Sequence, residues 1–200
     1  MVLENKLGIT EQALLNREEE RISKLKAKEF FESGKLYKIE IGTFKGLSEI
    51  HHYLFEDIYD FAGKIREVNI SKNDFRFAAV AFLEVALKNI SKMPQDTFDE
   101  IIEKYVEMNI AHPFREGNGR ATRIWLDMIL RHKLKQTIDW NAVDKEEYLS
   151  AMRRSPIKDL EIKVLLKSAL THDLSKEVFF KGIDVSYYYE GYNEYRTEDL

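Results

Sequence analysis

His112-Pro113-Phe114-Arg115-Glu116-Gly117-Asn118-Gly119-Arg120-Ala121-Thr122-Arg123 is the stretch from which the rest of this 200-residue chain can be read. A residue before proline is pushed out of the α region. His112 should therefore end the helix whose apolar positions are Ile101, Ile102, Tyr105, Val106 and Met108, leaving its imidazole exposed at a helix-to-loop junction. Gly117, Asn118 and Gly119 can take positive φ and turn successive N–H groups toward one concavity, a geometry that binds anions. A helix follows at once, and its free N–H groups and dipole would face the same anion, with Arg120 and Arg123 three apart on one face. Phosphate suits this arrangement. Beside it, Glu116 is a hard oxygen ligand for Mg²⁺ or another divalent cation, which is usually held by one or two carboxylates together with substrate phosphates. His112 is the nearby group that ordinarily titrates close to neutrality, and as a base toward an incoming hydroxyl it would contribute about 10²–10⁴-fold in rate. Phe114 has no polar chemistry and should turn inward as an anchor.

The chain as a whole sets the limits. Two hundred residues, 44% hydrophobic and 33% charged, suit one soluble domain with a sizeable core. A net charge of -4 argues against nucleic acid as partner. The absence of cysteine removes disulfides and thiol catalysis. The richest apolar run, 77–87, is too short for a membrane span and is interrupted by Glu84. The N-terminus carries Glu4 among its apolar residues, unlike a signal peptide, so the expected location is cytoplasmic, away from membranes.

In order, 11–33 reads as a helix whose Arg17, Glu18, Glu19, Glu20 and Arg21 form a solvated face, stopped by Gly34. A helix over 47–55 carries His51 and His52, adjacent and so diverging, which are read as structural. Alternation of Arg66, Val68 and Ile70, then Lys72-Asn73-Asp74 and Phe75-Arg76-Phe77, predicts a small hairpin over about 65–77. Helices are expected over 78–90, 97–111 and from 119 to about 133. A further helix bearing Tyr148, Leu149 and Met152 follows, and then one over 157–170. Asn109, one turn before His112, either caps its helix or touches a ligand.

HPFREGNGRATR resembles the motif HxFx[DE]GNGRxxR of the Fic family at every fixed position. The resemblance implies an all-α, single Fic-type helical domain spanning 1–200, with a core of about 11–182 and the hairpin as a flap. Its activity would be transfer of AMP from ATP to a hydroxyl of a target protein. By the same resemblance His112 is the base and Glu116 the metal ligand. Gly117, Asn118 and Gly119 hold the α- and β-phosphates, Arg120 the β-phosphate and Arg123 the γ-phosphate. Lys72, Asn109, Leu149 and Met152 are candidate nucleotide contacts, and the target protein would dock on the flap edge through main-chain hydrogen bonds.

Ser186 to Tyr195 holds five of the ten tyrosines and must dock on something. Ser186 can cap a short helix and Gly191 can end one, predicting a helix over about 184–196. Ser186, Glu190 and Gly191 match the [ST]xxxE[GN] pattern of self-inhibited members of the family, which implies that Glu190 pairs with Arg123 and displaces the γ-phosphate. Tyr187, Tyr188 and Tyr189 are candidate self-modification sites. Two alternatives stay open: hydrolysis of AMP from a modified protein by a water that Glu190 activates, and a non-catalytic, nucleotide-sensing module, as a homo-oligomer built on the tyrosine-rich tail.

Overall fold

The structure is a computed structural model that describes residues 2–72 and 75–200. At its centre lies α5 (Asn118–Leu134), packed against α2 (Phe44–Phe55), α4 (Phe98–Ala111) and α8 (Lys176–Glu190). Trp125, Leu126, Ile129 and Leu130 are fully buried, so this helix is apolar on most of its circumference, as a central helix must be. Around it stand α1 (Gln12–Glu32), α3 (Val80–Lys92), α6 (Lys145–Arg154) and α7 (Leu160–Ser168). Local chemistry sets the helix starts. Thr97 and Glu100 form a reciprocal capping box at α4, Asp144 accepts the Glu147 N–H at α6, and Thr43 accepts the Gly46 N–H at α2. The last of these carries α2 three residues beyond the 47–55 that apolar spacing predicts, because the cap, not the first apolar side chain, fixes the start.

Two short antiparallel ladders complete the fold. β1 (Ser71–Lys72) pairs with β2 (Phe75–Arg76), and β3 (Thr137–Ile138), which periodicity does not reveal, pairs with β4 (Leu170–Thr171). The flap is shorter than the alternation of Arg66, Val68 and Ile70 predicts. Arg66 is buried, and its side chain donates to carbonyls instead of standing on a strand face. Its turn residues Asn73 and Asp74 lie outside the described residues.

The C-terminal helix also differs from expectation. It begins at Lys176, because Phe179, Phe180 and Ile183 extend its apolar face ahead of the tyrosines, and so Ser186 lies in its third turn and is not a cap. Gly191, at φ +92°, ends it in a Schellman turn, with Gly191 N–H to Tyr188 O at 3.1 Å and Tyr192 N–H to Tyr187 O at 3.0 Å. Residues 192–200 then run across α1. Lys24, wholly buried, reaches Glu20 (2.9 Å), Asp184 (3.0 Å) and the Tyr195 carbonyl (2.6 Å), while Glu20 accepts the N–H groups of Glu194 and Tyr195. Glu19 and Glu20, read from sequence as part of a solvated face, are 4% and 1% exposed. They are buried because α8 and the tail cover that side of α1. No described helix is long and apolar enough to cross a membrane.

Candidate active site

A cavity of about 370 Å³ opens between the flap, the end of α4, the start of α5, α6 and the end of α8, within the size range of small-molecule sites. His112, Arg123, Lys72, Lys145, Arg153 and Glu190 bring polar groups to it, and Phe77, Tyr148, Leu149 and Met152 apolar walls; Asn109 also reaches it.

His112 caps α4 at φ 49°, ψ 62°, a left-handed conformation uncommon for a residue with a side chain. Proline does end the helix, but the turn is left-handed and not extended. The His112 N–H stays bound to Met108 O at 3.0 Å, and the His112 carbonyl accepts from Arg66 Nε at 2.7 Å. Nor is the imidazole fully exposed. It is half-buried and stacked on Phe77 at 3.6 Å and 16°, and Nδ1 is buried without a hydrogen-bond partner among the described residues. Burial, then the charges of Arg66 and Lys72, lower its pKa to about 3, so the ring is neutral at physiological pH.

Of the three residues read as a positive-φ nest, only Gly117 has positive φ (+76°); Asn118 and Gly119 are already helical. A Cβ on Gly117 would lie 2.6 Å from the Phe55 ring. The Asn118 carboxamide is spent on the loop, accepting from Phe114 N–H and donating to Phe114 O, both at 2.8 Å, so it offers a ligand its backbone alone. Phe114 is fully buried and stacks on His51 at 3.8 Å. His51, itself buried, accepts the Gly63 N–H on Nδ1 (2.9 Å) and donates from Nε2 to the Glu116 carbonyl (2.8 Å), which fixes its tautomer and pins the loop from behind. Burial lowers its pKa to about 3.

The two arginines part company. Arg120 is buried, pairs with Glu19 and Glu116, and lies between the rings of Phe55 and Tyr187; it does not line the cavity. The position three residues before Arg123 turns it toward α1. Arg123 faces the cavity. Its Nε donates to Ser186 Oγ at 2.7 Å, its Nη2 to Ser186 O at 3.2 Å, and Glu190 Oε1 stands 3.6 Å from Nη2. Asp127, one turn on, pairs with Arg131 instead. Glu190 Oε2 meets Lys72 Nζ at 3.3 Å, and Oε1 sits so close over the first turn of α5 that a Cβ on Gly119 would be 3.1 Å away. Burial alone would raise the Glu190 pKa; Arg123, Arg120 and Lys72 outweigh it and hold the carboxylate below its ordinary value. An anionic group thus occupies the helix N-terminus that the sequence assigns to phosphate.

Glu116 stands outside this cavity. Its Oε1 accepts from Gly117 N–H (2.9 Å) and Arg120 (3.1 Å), and no group of three potential metal ligands occurs among the described residues. Tyr187 and Tyr189 are 2% and 6% exposed, with their hydroxyls on Ser23 and the Val143 carbonyl, so of the three tyrosines only Tyr188, at 50%, presents a surface. Their neighbours α1 and α6 cover the other two. Arg66, His51 and Glu19, all central to this geometry, carry no motif signal, since each acts through a partner distant in sequence.

Residues 43–130 match the model of the Fic/DOC family. The chain is 30% identical over 177 residues to "Probable protein adenylyltransferase Fic" of Escherichia coli (strain K12), a similarity covering 80% of this chain and 82% of that protein. The chain belongs to the Fic/DOC family. It is 29% identical over 204 residues to "Protein adenylyltransferase VbhT" of Bartonella schoenbuchensis, covering 96% of this chain but only 41% of that protein's length. Its fold is similar to that of the BepC protein of Bartonella tribocorum, solved with bound AMPPNP, at TM-score 0.69 and 21% identity over 86% of this chain and 93% of that one. The Fic match includes the loop at 112–123, the flap and Arg66, whereas α8 with Ser186 and Glu190 lies beyond it.

Proposed function

We propose that this chain is a protein adenylyltransferase held in check by its own α8. The relatives named protein adenylyltransferases support the reaction class; the single observation that carries the rest is the Glu190 carboxylate lying over the α5 N-terminus beside Arg123. In the transfer, the oxygen of a target Ser, Thr or Tyr hydroxyl bonds to the α-phosphorus of ATP. The bond to the β-phosphate breaks, diphosphate leaves, and the hydroxyl proton passes to neutral His112. The N–H groups at the start of α5 and the Arg123 guanidinium bind phosphate oxygens, and Leu149 and Met152 give the base an apolar wall.

Glu116 suits a divalent cation in one respect. It is a half-exposed carboxylate whose Oε2 has no hydrogen-bond partner among the described residues, while no further carboxylates gather there, so phosphate oxygens must complete the shell. A Mg²⁺ held so would neutralise charge developing on the leaving diphosphate.

Magnitude bears on the lock. A 100-fold suppression takes about 2.7 kcal/mol, more than the about 0.2–1 kcal/mol of an exposed ion pair. Glu190 is three-quarters buried, and Ser186 adds two hydrogen bonds to the same guanidinium. With ATP, Mg²⁺ and a cell extract, Glu190→Gly should raise AMP incorporation about 100-fold, and adding His112→Ala should abolish it. Equal incorporation by the parent and Glu190→Gly would sink the lock; none from Glu190→Gly would sink the transfer. Tyr188 is the self-modification site this exposure favours.

A second reading rests on Glu190 sharing the cavity with His112. The carboxylate would take a proton from water attacking the phosphorus of a protein-bound AMP, the bond from phosphorus to the protein oxygen would break, and that proton, relayed through the neutral His112 ring, would pass to the departing oxygen. AMP release from a premodified protein that Glu190→Gly abolishes would mark it.

A further inference from the structure

Arg66 has no place in the chemistry above, yet it makes more directed contacts than any group in the cavity. The side chain is 4% exposed, and all its hydrogen bonds among the described residues go to carbonyls. Nε donates to His112 O at 2.7 Å and Nη2 to Ala111 O at 3.2 Å, while the Arg66 backbone N–H takes Pro113 O at 2.8 Å. Three successive carbonyls, 111 to 113, are thus held by one residue across the turn that gives His112 its left-handed backbone. The same guanidinium also grips the flap. Nη1 donates to Val68 O at 2.7 Å and Nη2 to Ala78 O at 2.5 Å, the chain entering and the chain leaving the hairpin. Ala78 N–H bonds in turn to Ile110 O at 3.0 Å, and Phe77 stacks on the imidazole.

We propose that Arg66 is a positioning residue that locks the turn carrying His112 in register with both roots of the flap, so that a hydroxyl presented along the flap meets the imidazole at reacting distance. Only the planar, five-donor fork of arginine can reach four carbonyls in different directions, and lysine, a single point of three donors, cannot. Charge plays a separate part. The groups facing His112 are Arg66, Lys72 from β1 and Glu190 from α8, and Arg66 and Lys72 both favour the neutral ring.

The inference rests on the transfer reading, and its test is made in the Glu190→Gly protein with a readout that does not need turnover. Arg66→Lys keeps the charge and loses the fork. It should lower kcat about 100-fold, the cost of an ångström-scale misplacement, with the KM for ATP within about threefold of the Glu190→Gly parent and the His112 imidazole titrating, by NMR of labelled histidine, where it does in that parent. Arg66→Met should show the same loss of kcat together with imidazole titration, and the acid limb of the rate profile, moved to higher pH. Arg66→Lys with kcat within threefold of the parent overturns the proposal, as does a folded Arg66→Met in which His112 keeps the ring-current shift from Phe77 and kcat stays within threefold of the parent. If Arg66→Met does not fold, Arg66→Lys decides through kcat. If the Glu190→Gly parent transfers no AMP, it is the function that has failed, and the ring-current shift of His112 from Phe77, unchanged or lost in Arg66→Lys, still decides whether Arg66 sets the turn.

Discussion

Ser186 Oγ accepts from Arg123 Nε at 2.7 Å, a closer contact than the 3.6 Å between Glu190 Oε1 and Nη2 of the same guanidinium. The serine therefore aims the arginine and the glutamate completes the seat, one turn apart on α8. Replacing Ser186 by Ala removes a hydrogen bond to a charged group, worth about 1.5–3 kcal/mol, and should raise AMP incorporation roughly tenfold, since part of that loss is recovered by water. In Glu190→Gly the same change should add almost nothing, because the seat is already broken. Initial rates of the two single variants and the double variant check this; simple additivity would contradict it.

Under the proposed lock, Lys24 is expected to act on it from outside the cavity. Lys24→Met leaves the buried Glu20 and the partly buried Asp184 without their cation, a loss of about 3–5 kcal/mol. Thermal melting should fall by roughly 6–20 °C, and incorporation at temperatures where the protein stays folded should rise, though no cavity residue has changed. A melt lowered this far with incorporation unchanged would show that the tail does not bear on α8.

Acid should destabilise the fold through His51. Its pKa in the folded protein is about 3, against an ordinary value near 6.5 in the unfolded chain. Below about pH 6 the unfolded chain takes up a proton that the folded one refuses, so stability from the neutral ring is full above the unfolded pKa and is lost as pH falls toward the folded one. The slope is about 1.4 kcal/mol per pH unit. Urea unfolding at pH 7, 6 and 5 should show a slope about 1.4 kcal/mol per pH unit smaller in His51→Gln than in the parent, the contribution of His112, shifted in the same direction, remaining in both.

Gly117→Ala should damage both fold and site. The residue sits at φ +76°, and a Cβ would strike the Phe55 ring at 2.6 Å. Backbone strain alone costs on the order of 1–3 kcal/mol, and the loop must shift to clear the ring. Denaturant midpoints should fall, and ATP binding measured in the Glu190→Gly background should weaken. Unchanged ATP affinity would mean that this loop does not hold the phosphates.

What could be read from sequence was local. The loop at 112–123, the inward Phe114 and the αL glycine ending α8 are decided by residues within a few positions of one another, and apolar spacing alone gives helices with bounds off by a few residues. Arg120 and Arg123 look alike in sequence, three apart in the first turns of a helix; only α1 bringing Glu19 to one of them and α8 bringing Glu190 to the other separates their roles. Arg66 reads as strand alternation because its carbonyl partners at 111 and 112 are tertiary. Tyr187 and Tyr189 look reactive in a row of three, and it is helical phase that buries them and turns Tyr188 outward.

The buried lysine of α1 finds its tail partner 171 positions later. Closing so long a loop in the open chain carries a large entropy cost, which shrinks once the domain between the two residues has folded. On a ribosome, the phosphate cradle and its histidine emerge well before residue 190, and the carboxylate that fills the cradle is synthesised only afterwards. Under the proposed lock, an open cradle therefore precedes a covered one in the history of each new molecule, because the segment that covers it is made after the segment it covers.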